Sequence, residues 1–231
     1  EQLMPTTSGT TAFFPPVDEI IEEAYEMLGG EPQLGHDPVS ARRSLNLLFI
    51  DMQNRGVPLF AQEQKTVSLV AAQENYTLDA DTVDILEVAL RRTSNSVNTD
   101  TQLQRVSMQE YLIIPNKANQ GRTAQVALDR QKIPVLYVWP APETGTTDSI
   151  LYWGVRRLED VTASFQEVDW VYRYLPAITC GLAYYLGYKR FGIDPQKLNF
   201  LKASYVEKVL LALESDRERV DMRVVPRLKV L

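Results

Sequence analysis

The chain has 231 residues, a net charge of −6 and a pI near 5.0, with 45% hydrophobic and 23% charged residues. That is enough chain for one large or two small domains with a real core. The acidic balance argues against a protein whose main work is gripping phosphates, though not against one that DNA passes without sticking. A single cysteine, Cys180, rules out an internal disulfide and fits a reducing compartment. Its apolar neighbours point to a buried structural thiol rather than a nucleophile.

Residues 1–15 form a polar, Thr-rich lead-in, read as an N-terminal arm. It carries neither the basic start nor the apolar run of a signal peptide, so use in the cytoplasm, or in a particle built there, is expected. A helix is expected over about Pro16–Leu28, with Val17, Ile20, Ile21, Ala24 and Leu28 on its core face. Glu19, Glu22, Glu23 and Glu26 lie opposite and read as a solvated face, not a metal or acid–base cluster. Gly29-Gly30 closes it, and a turn-rich loop holds His36, the one histidine, without catalytic partners. A second helix spans Asp37–Arg55. Asp37 serves as its cap, Pro38 takes the first position and Gly56 the end. Ala41, Leu45, Leu48, Phe49 and Met52 recur at helical spacing. Leu47 and Ile50 widen the stripe, which implies burial on more than one side.

From Val57 to about Val161 the period changes to that of strands. Glu63–Val70 alternates, Asn75–Leu78 continues it, and Asp79–Asp81 turns. Val83–Leu90 fits a strand or a short helix, and Thr93–Thr101 reads as an exposed loop. Ser107 and Glu110 make a capping box for a short helix over Ser107–Ile114. Gln125–Leu128 and Ile133–Trp139 are expected strands, Pro140–Asp148 a long hairpin tip, and Ile150–Leu158 the returning strand. Trp139, Trp153 and Trp170 are expected in core positions.

Helix returns after Asp169 and runs to about Arg190. Pro176 marks either a kink or the true start of regular helix. Tyr184, Tyr185 and Tyr188 suggest a buried face with polar tips, and Leu175–Tyr188 is too short to cross a bilayer. Asp194-Pro195 starts a last helix reaching about Arg219, with Leu198, Leu201, Tyr205, Val209 and Ala212 as its stripe. The tail Val220–Leu231 carries Met222, Val224, Val225, Pro226, Leu228, Val230 and Leu231, too apolar for an idle linker and suited to lying on another surface.

The expected fold is therefore α+β: an antiparallel bundle of four main helices (16–56 and 166–219) interrupted by an antiparallel β insertion (57–165), with an extended tail (220–231). No P-loop, dinucleotide fingerprint, zinc motif or nucleophile elbow is present, so no catalytic residue, metal or cofactor is assigned. Thirty acidic residues make any carboxylate pair uninformative. The doublets Arg42-Arg43 and Arg156-Arg157 fit a solvated face or an intersubunit salt bridge better than a phosphate clamp.

The run D-P-x-S-A-R-R-S-L-N-L-L (37–48) with N-R-G (54–56) resembles the head-to-tail adaptors of short-tailed bacteriophages, the tail-tubular-protein-A-like group. The likeness extends to D-x-V-D-I-L-E-V-A-L (81–90), to Trp139-Pro140-Ala141-Pro142, to Y-L-P-A-I-T-C-G-L-A-Y-Y-L (174–186) and to D-R-E-R-V-D-M-R-V-V-P (216–226). It implies a virion protein at the head–tail junction, forming a twelve-copy ring under the portal and prolonging the DNA channel. Double-stranded DNA would pass without specific binding, and no membrane would be involved. The tail from Met222 to Leu231 would dock on the portal protein. From the residues themselves, the tip carrying Pro142, Thr144, Gly145, Thr146 and Thr147 is read as the contact with the tail nozzle, and the arginine doublets as lying between subunits. A connector of a long-tailed phage, and an adaptor with peptidoglycan hydrolase activity, are the alternatives.

Overall fold

A computed structural model describes residues 9–30, 36–55, 59–94, 97–143, 147–190 and 192–217. The chain divides into two compact units, one within Glu1–Leu59 and Asp160–Leu231, the other Phe60–Glu159.

The first unit is helical. Helix α1 (Val17–Leu28) ends at Gly29, whose φ of 79° is the left-handed geometry that glycine adopts without strain. Its four glutamates are exposed, and Val17, Ile20, Ile21, Ala24 and Tyr25 are buried. Helix α2 (His36–Arg55) buries Ala41, Leu45, Leu48, Phe49 and Met52 as their spacing requires. Asp37 lies inside its first turn rather than before it, and accepts from Arg190 Nη2 at 3.1 Å. A 3-10 turn (Tyr172–Tyr174) leads into α4 (Leu175–Lys189), so Pro176 begins the regular helix and kinks nothing. Helix α4 is apolar on nearly every side because α1, α2 and α5 (Pro195–Ser215) all pack on it. Asp194 caps α5 by accepting from Gln196 N at 3.0 Å.

Two polar clusters hold this unit. Asp51 Oδ2 accepts from Tyr205 Oη at 3.1 Å and from Arg55 Nε at 2.9 Å, joining α2 to α5. Buried Asp216 accepts from Leu59 N at 2.7 Å and from Tyr174 Oη at 3.3 Å, and pairs with Arg173 at 2.6 Å. Burial, with Asp216 close by, pushes the Tyr174 phenol up, and burial with Asp51 does the same to Tyr205.

Among its described residues the second unit holds two four-stranded sheets. The first has the order β1 (Gln62–Ser68), β8 (Asp148–Arg156), β3 (Thr82–Ser94), β4 (Val97–Gln102), all antiparallel. The second runs β2 (Asn75–Thr77), β7 (Val135–Trp139), β6 (Gln125–Asp129), β5 (Gln104–Arg105), with β5 parallel to β6. The core takes Ile85, Val88, Leu90, Ile150 and Tyr152 from the first sheet and Tyr76, Val126, Leu128, Leu136 and Val138 from the second. Asp84 on β3 ties the sheets together through Arg105 (2.7 Å) and Arg130 (2.6 Å). Helix α3 (Met108–Ile113) has both bonds of the Ser107–Glu110 capping box and covers the second sheet with Tyr111.

The expected architecture needs correction. A four-helix bundle with a single antiparallel insertion is not what forms. Among the described residues there are five α-helices and two four-stranded sheets, one of them mixed. Strands β7 and β8 lie in different sheets, so the stretch Pro140–Asp148, expected as a hairpin tip, does not join two paired strands. The expected loop at Thr93–Thr101 carries the end of β3 and β4. Its polar residues mislead because β4 is an edge strand exposed throughout, with no core face to impose alternation. The helices do not form a bundle of equivalents, since α4 is a centre and the other three are its coat.

Candidate functional site

Among the described residues no group of three or more His, Cys, Asp or Glu could hold a metal, and no helix is long and apolar enough to cross a membrane. Cys180 is buried. The candidate site is a surface, and it lies on the helical unit.

Helix α5 is apolar on two opposite faces. Leu201, Tyr205, Val209 and Ala212 are covered by the rest of the unit. Turned away from them are Phe200, 71% exposed, Leu210 (61%), Leu211 (58%), Val206 and Ala203. Glu207 and Glu214 lie on this outer face, and neither side chain has a partner among the described residues. Helix α2 repeats the arrangement. Leu47 and Ile50, expected to be buried, are 49% and 43% exposed and share an outer stripe with Val39 and Arg43. Arg43 has no partner among the described residues either. A cleft of about 340 Å³ lies beside Leu47, lined by Tyr184, Tyr185 and Tyr188. Tyr188 is exposed and the other two are half-buried, so the expected buried tyrosine face is in fact largely open. Monomeric proteins seldom leave such patches bare, and those they do leave are binding surfaces.

The arginine doublets split. Arg42 is half-buried and its Nη1 donates to the Thr162 carbonyl at 2.7 Å, whereas Arg43 points to solvent. Arg156 lies at the end of β8 and Arg157 just after it, and each has a partner within the chain. Pro142 is buried and Thr147 exposed, while Thr144, Gly145 and Thr146 lie outside the described residues. Met222, Val224, Val225, Pro226, Leu228, Val230 and Leu231 lie outside them too. Trp170 is in the core, but Trp153 sits 44% exposed on the outer face of its sheet, between Gln64 and Glu87.

Sequence reasoning missed the outer stripe of α5, Phe200, Ala203, Glu207 and Leu211. A signal was available: α5 holds more apolar residues than one face can carry, and they fall on two arcs rather than one.

No curated protein matches the chain. Among solved structures, a chain from the neck of an empty GTA particle computed with C6 symmetry is 12% identical, with 97% of this chain and 100% of that chain covered. The TM-score is 0.31, a likeness too slight to carry an argument. The model of the SU10 adaptor protein family matches residues 16–225. With nearly the whole chain inside that match, the chain belongs to the SU10 adaptor protein family.

Proposed function

We propose that this chain is a subunit of a ring that joins a portal protein to the tail and prolongs the DNA channel at the head–tail junction of a virion. The family sets the class, a structural head-to-tail adaptor protein of bacteriophage type. The observation that carries the ring is α5, whose second apolar face is covered by nothing among the described residues. A face of that kind in a protein that joins larger assemblies is suited to a neighbouring copy. In this reading the helical unit supplies lateral contacts. The β-rich unit meets the tail nozzle near Thr147, and Met222–Leu231 docks on the portal as an added strand. Twelve copies and a short-tailed particle follow from the resemblance of the 37–56 and 174–186 segments, and particle morphology tests both. The carboxylates of Glu19, Glu22, Glu23 and Glu26, exposed and without partners among the described residues, are compatible with a conduit that repels DNA.

The test is negative-stain electron microscopy of the full chain alone and mixed with its portal. Annular particles seated on the portal are expected in the mixture. Removing Val220–Leu231 should abolish seating while the helical circular dichroism is retained. Seating of the truncated chain with unchanged affinity would overturn the role of the tail, and a chain that stays monomeric beside its portal would overturn the ring.

A further inference from the structure

The bare stripes of α2 and α5 carry the same spacing in opposite directions. On α2, Val39, Arg43, Leu47 and Ile50 follow steps of four, four and three. On α5, Phe200, Ala203, Glu207 and Leu211 follow steps of three, four and four. Each stripe therefore runs about 16 Å along its helix. Laid antiparallel, they register residue by residue: Phe200 on Ile50, Ala203 on Leu47, Glu207 on Arg43 and Leu211 on Val39. Apolar meets apolar at three levels, and the small Ala203 leaves room for Leu47. At the fourth level the single charge of one stripe meets the opposite charge of the other. Arg43 and Glu207 are both exposed, and neither has a partner among the described residues.

The alternatives are worse. A slide of one turn sets Glu207 against Leu47 or Val39 and Arg43 against Ala203 or Leu211. A parallel arrangement also sets Glu207 against Leu47 and Arg43 against Ala203. Either strands a desolvated charge on an apolar side chain, a penalty that fixes register in paired helices. Val206 and Leu210, both exposed, flank the α5 stripe and enlarge its apolar surface.

Within one subunit both stripes face away from α4, so they meet only between copies. We propose that α5 of one subunit packs antiparallel on α2 of the next, with Glu207 paired to Arg43 of the neighbour. Such a contact uses two different patches, so each added copy leaves one α2 and one α5 free until the ring closes. This pairing rests on the ring reading above and names the surface that makes it.

The experiment uses the full chain with its portal and scores rings by electron microscopy and mass photometry. Arg43→Glu and Glu207→Arg, each alone, should cut the ring fraction by about tenfold or more, because like charges then face each other in the interface. The double reversal, Arg43→Glu with Glu207→Arg, should restore it. Under oxidation, a mixture of Leu47→Cys and Ala203→Cys chains should give a disulfide-linked pair. Rings that form normally in both single reversals overturn the pairing and leave the ring reading standing. No rings from the wild-type chain overturn the ring reading and this contact with it. A thiol at Ala203→Cys that resists alkylation in the isolated monomer, and is freed by deleting Val220–Leu231, overturns the pairing in favour of the chain's own tail.

Discussion

Gly181 sits where α4 passes between α2 and α5, and replacing it tests the packing of the whole helical unit. A Cβ added there would lie 2.8 Å from Leu48 Cδ1 on α2, and 2.8 and 2.9 Å from two ring carbons of Tyr205 on α5. Both neighbours are buried, and the Tyr205 ring is held by its bond to Asp51. Alanine gains about 1 kcal/mol over glycine inside a helix. Overpacking a tight core costs about 1–3 kcal/mol, and contacts under 3 Å on two sides belong at the upper end. Gly181→Ala should therefore lose about 1–2 kcal/mol net, a fall in Tm of roughly 3–6 °C for a chain of this size. Gly187→Ala, on the same helix, is the control. Its Cβ would meet Leu198 Cδ1 and Leu28 Cδ2 at 3.1 Å, both ends of half-buried side chains that can turn aside. That variant should match the wild type or exceed it by up to about 1 kcal/mol. Urea unfolding followed by far-ultraviolet circular dichroism reads both, and Leu48→Ala should reduce the cost of Gly181→Ala by removing one of the two collisions. A Gly181→Ala chain as stable as the wild type would refute the close approach of the three helices.

Asp216→Ala should destabilise the helical unit by about 3 kcal/mol in the same titration. It removes an ion pair and the partner of Leu59 N, and Arg173, 31% exposed, stays partly solvated. Asp216→Asn, which keeps an acceptor, should cost about half of that. Stability should also fall in alkali. Tyr174 and Tyr205 have folded pKa values raised by burial and then by Asp216 and Asp51, so their contribution is intact below the unfolded value near 10. Above it the unfolded chain releases those protons and the folded chain does not, costing up to about 1.4 kcal/mol per group per pH unit. Tyr205→Phe should make the alkaline limb of a stability–pH curve shallower, and an unchanged slope would refute the assignment. A peptidoglycan zymogram should show no clearing at 26.2 kDa, and a band lost on Glu22→Gln with Glu23→Gln would place hydrolysis on α1 instead.

What the sequence could and could not reveal follows from what each signal measures. The spacing of Val17, Ile20, Ile21 and Ala24 reports a single buried face, and α1 formed within a residue of its expected bounds. Ser107 with Glu110 is a local device whose partners are three residues apart, so the short helix after it was legible without tertiary knowledge. Strand partnership is not local. Nothing in Ile133–Trp139 or Ile150–Leu158 says that they enter different sheets, because both present alternating residues to the same core. Trp153 shows the same limit from the other side: a large aromatic at an alternating position can face core or water, and only the sheet's outer neighbours decide.

The bare stripes of α2 and α5 were hidden by a deeper ambiguity. Leu47 and Ile50 stand out as excess apolar residues on α2, and their spacing implies burial on more than one side. Periodicity reports that a side chain wants cover, not whose cover it receives. Helix α4 and helix α5 illustrate the two answers. Helix α4 is apolar around most of its circumference and finds three helices of its own chain, whereas α5 is apolar on two faces and, among the described residues, finds cover on one. The charged residues separate the cases. Helix α4 carries no charge between Leu175 and Tyr188, as a helix buried all round requires, whereas α5 sets Glu207 and Glu214 among its bare leucines. A charge retained within an apolar stripe is costly to bury alone and tolerable opposite its counterpart, so it favours docking in one register. Arg43 on α2 has that same character, which is why the two stripes read as halves of one contact rather than as two defects of a soluble surface.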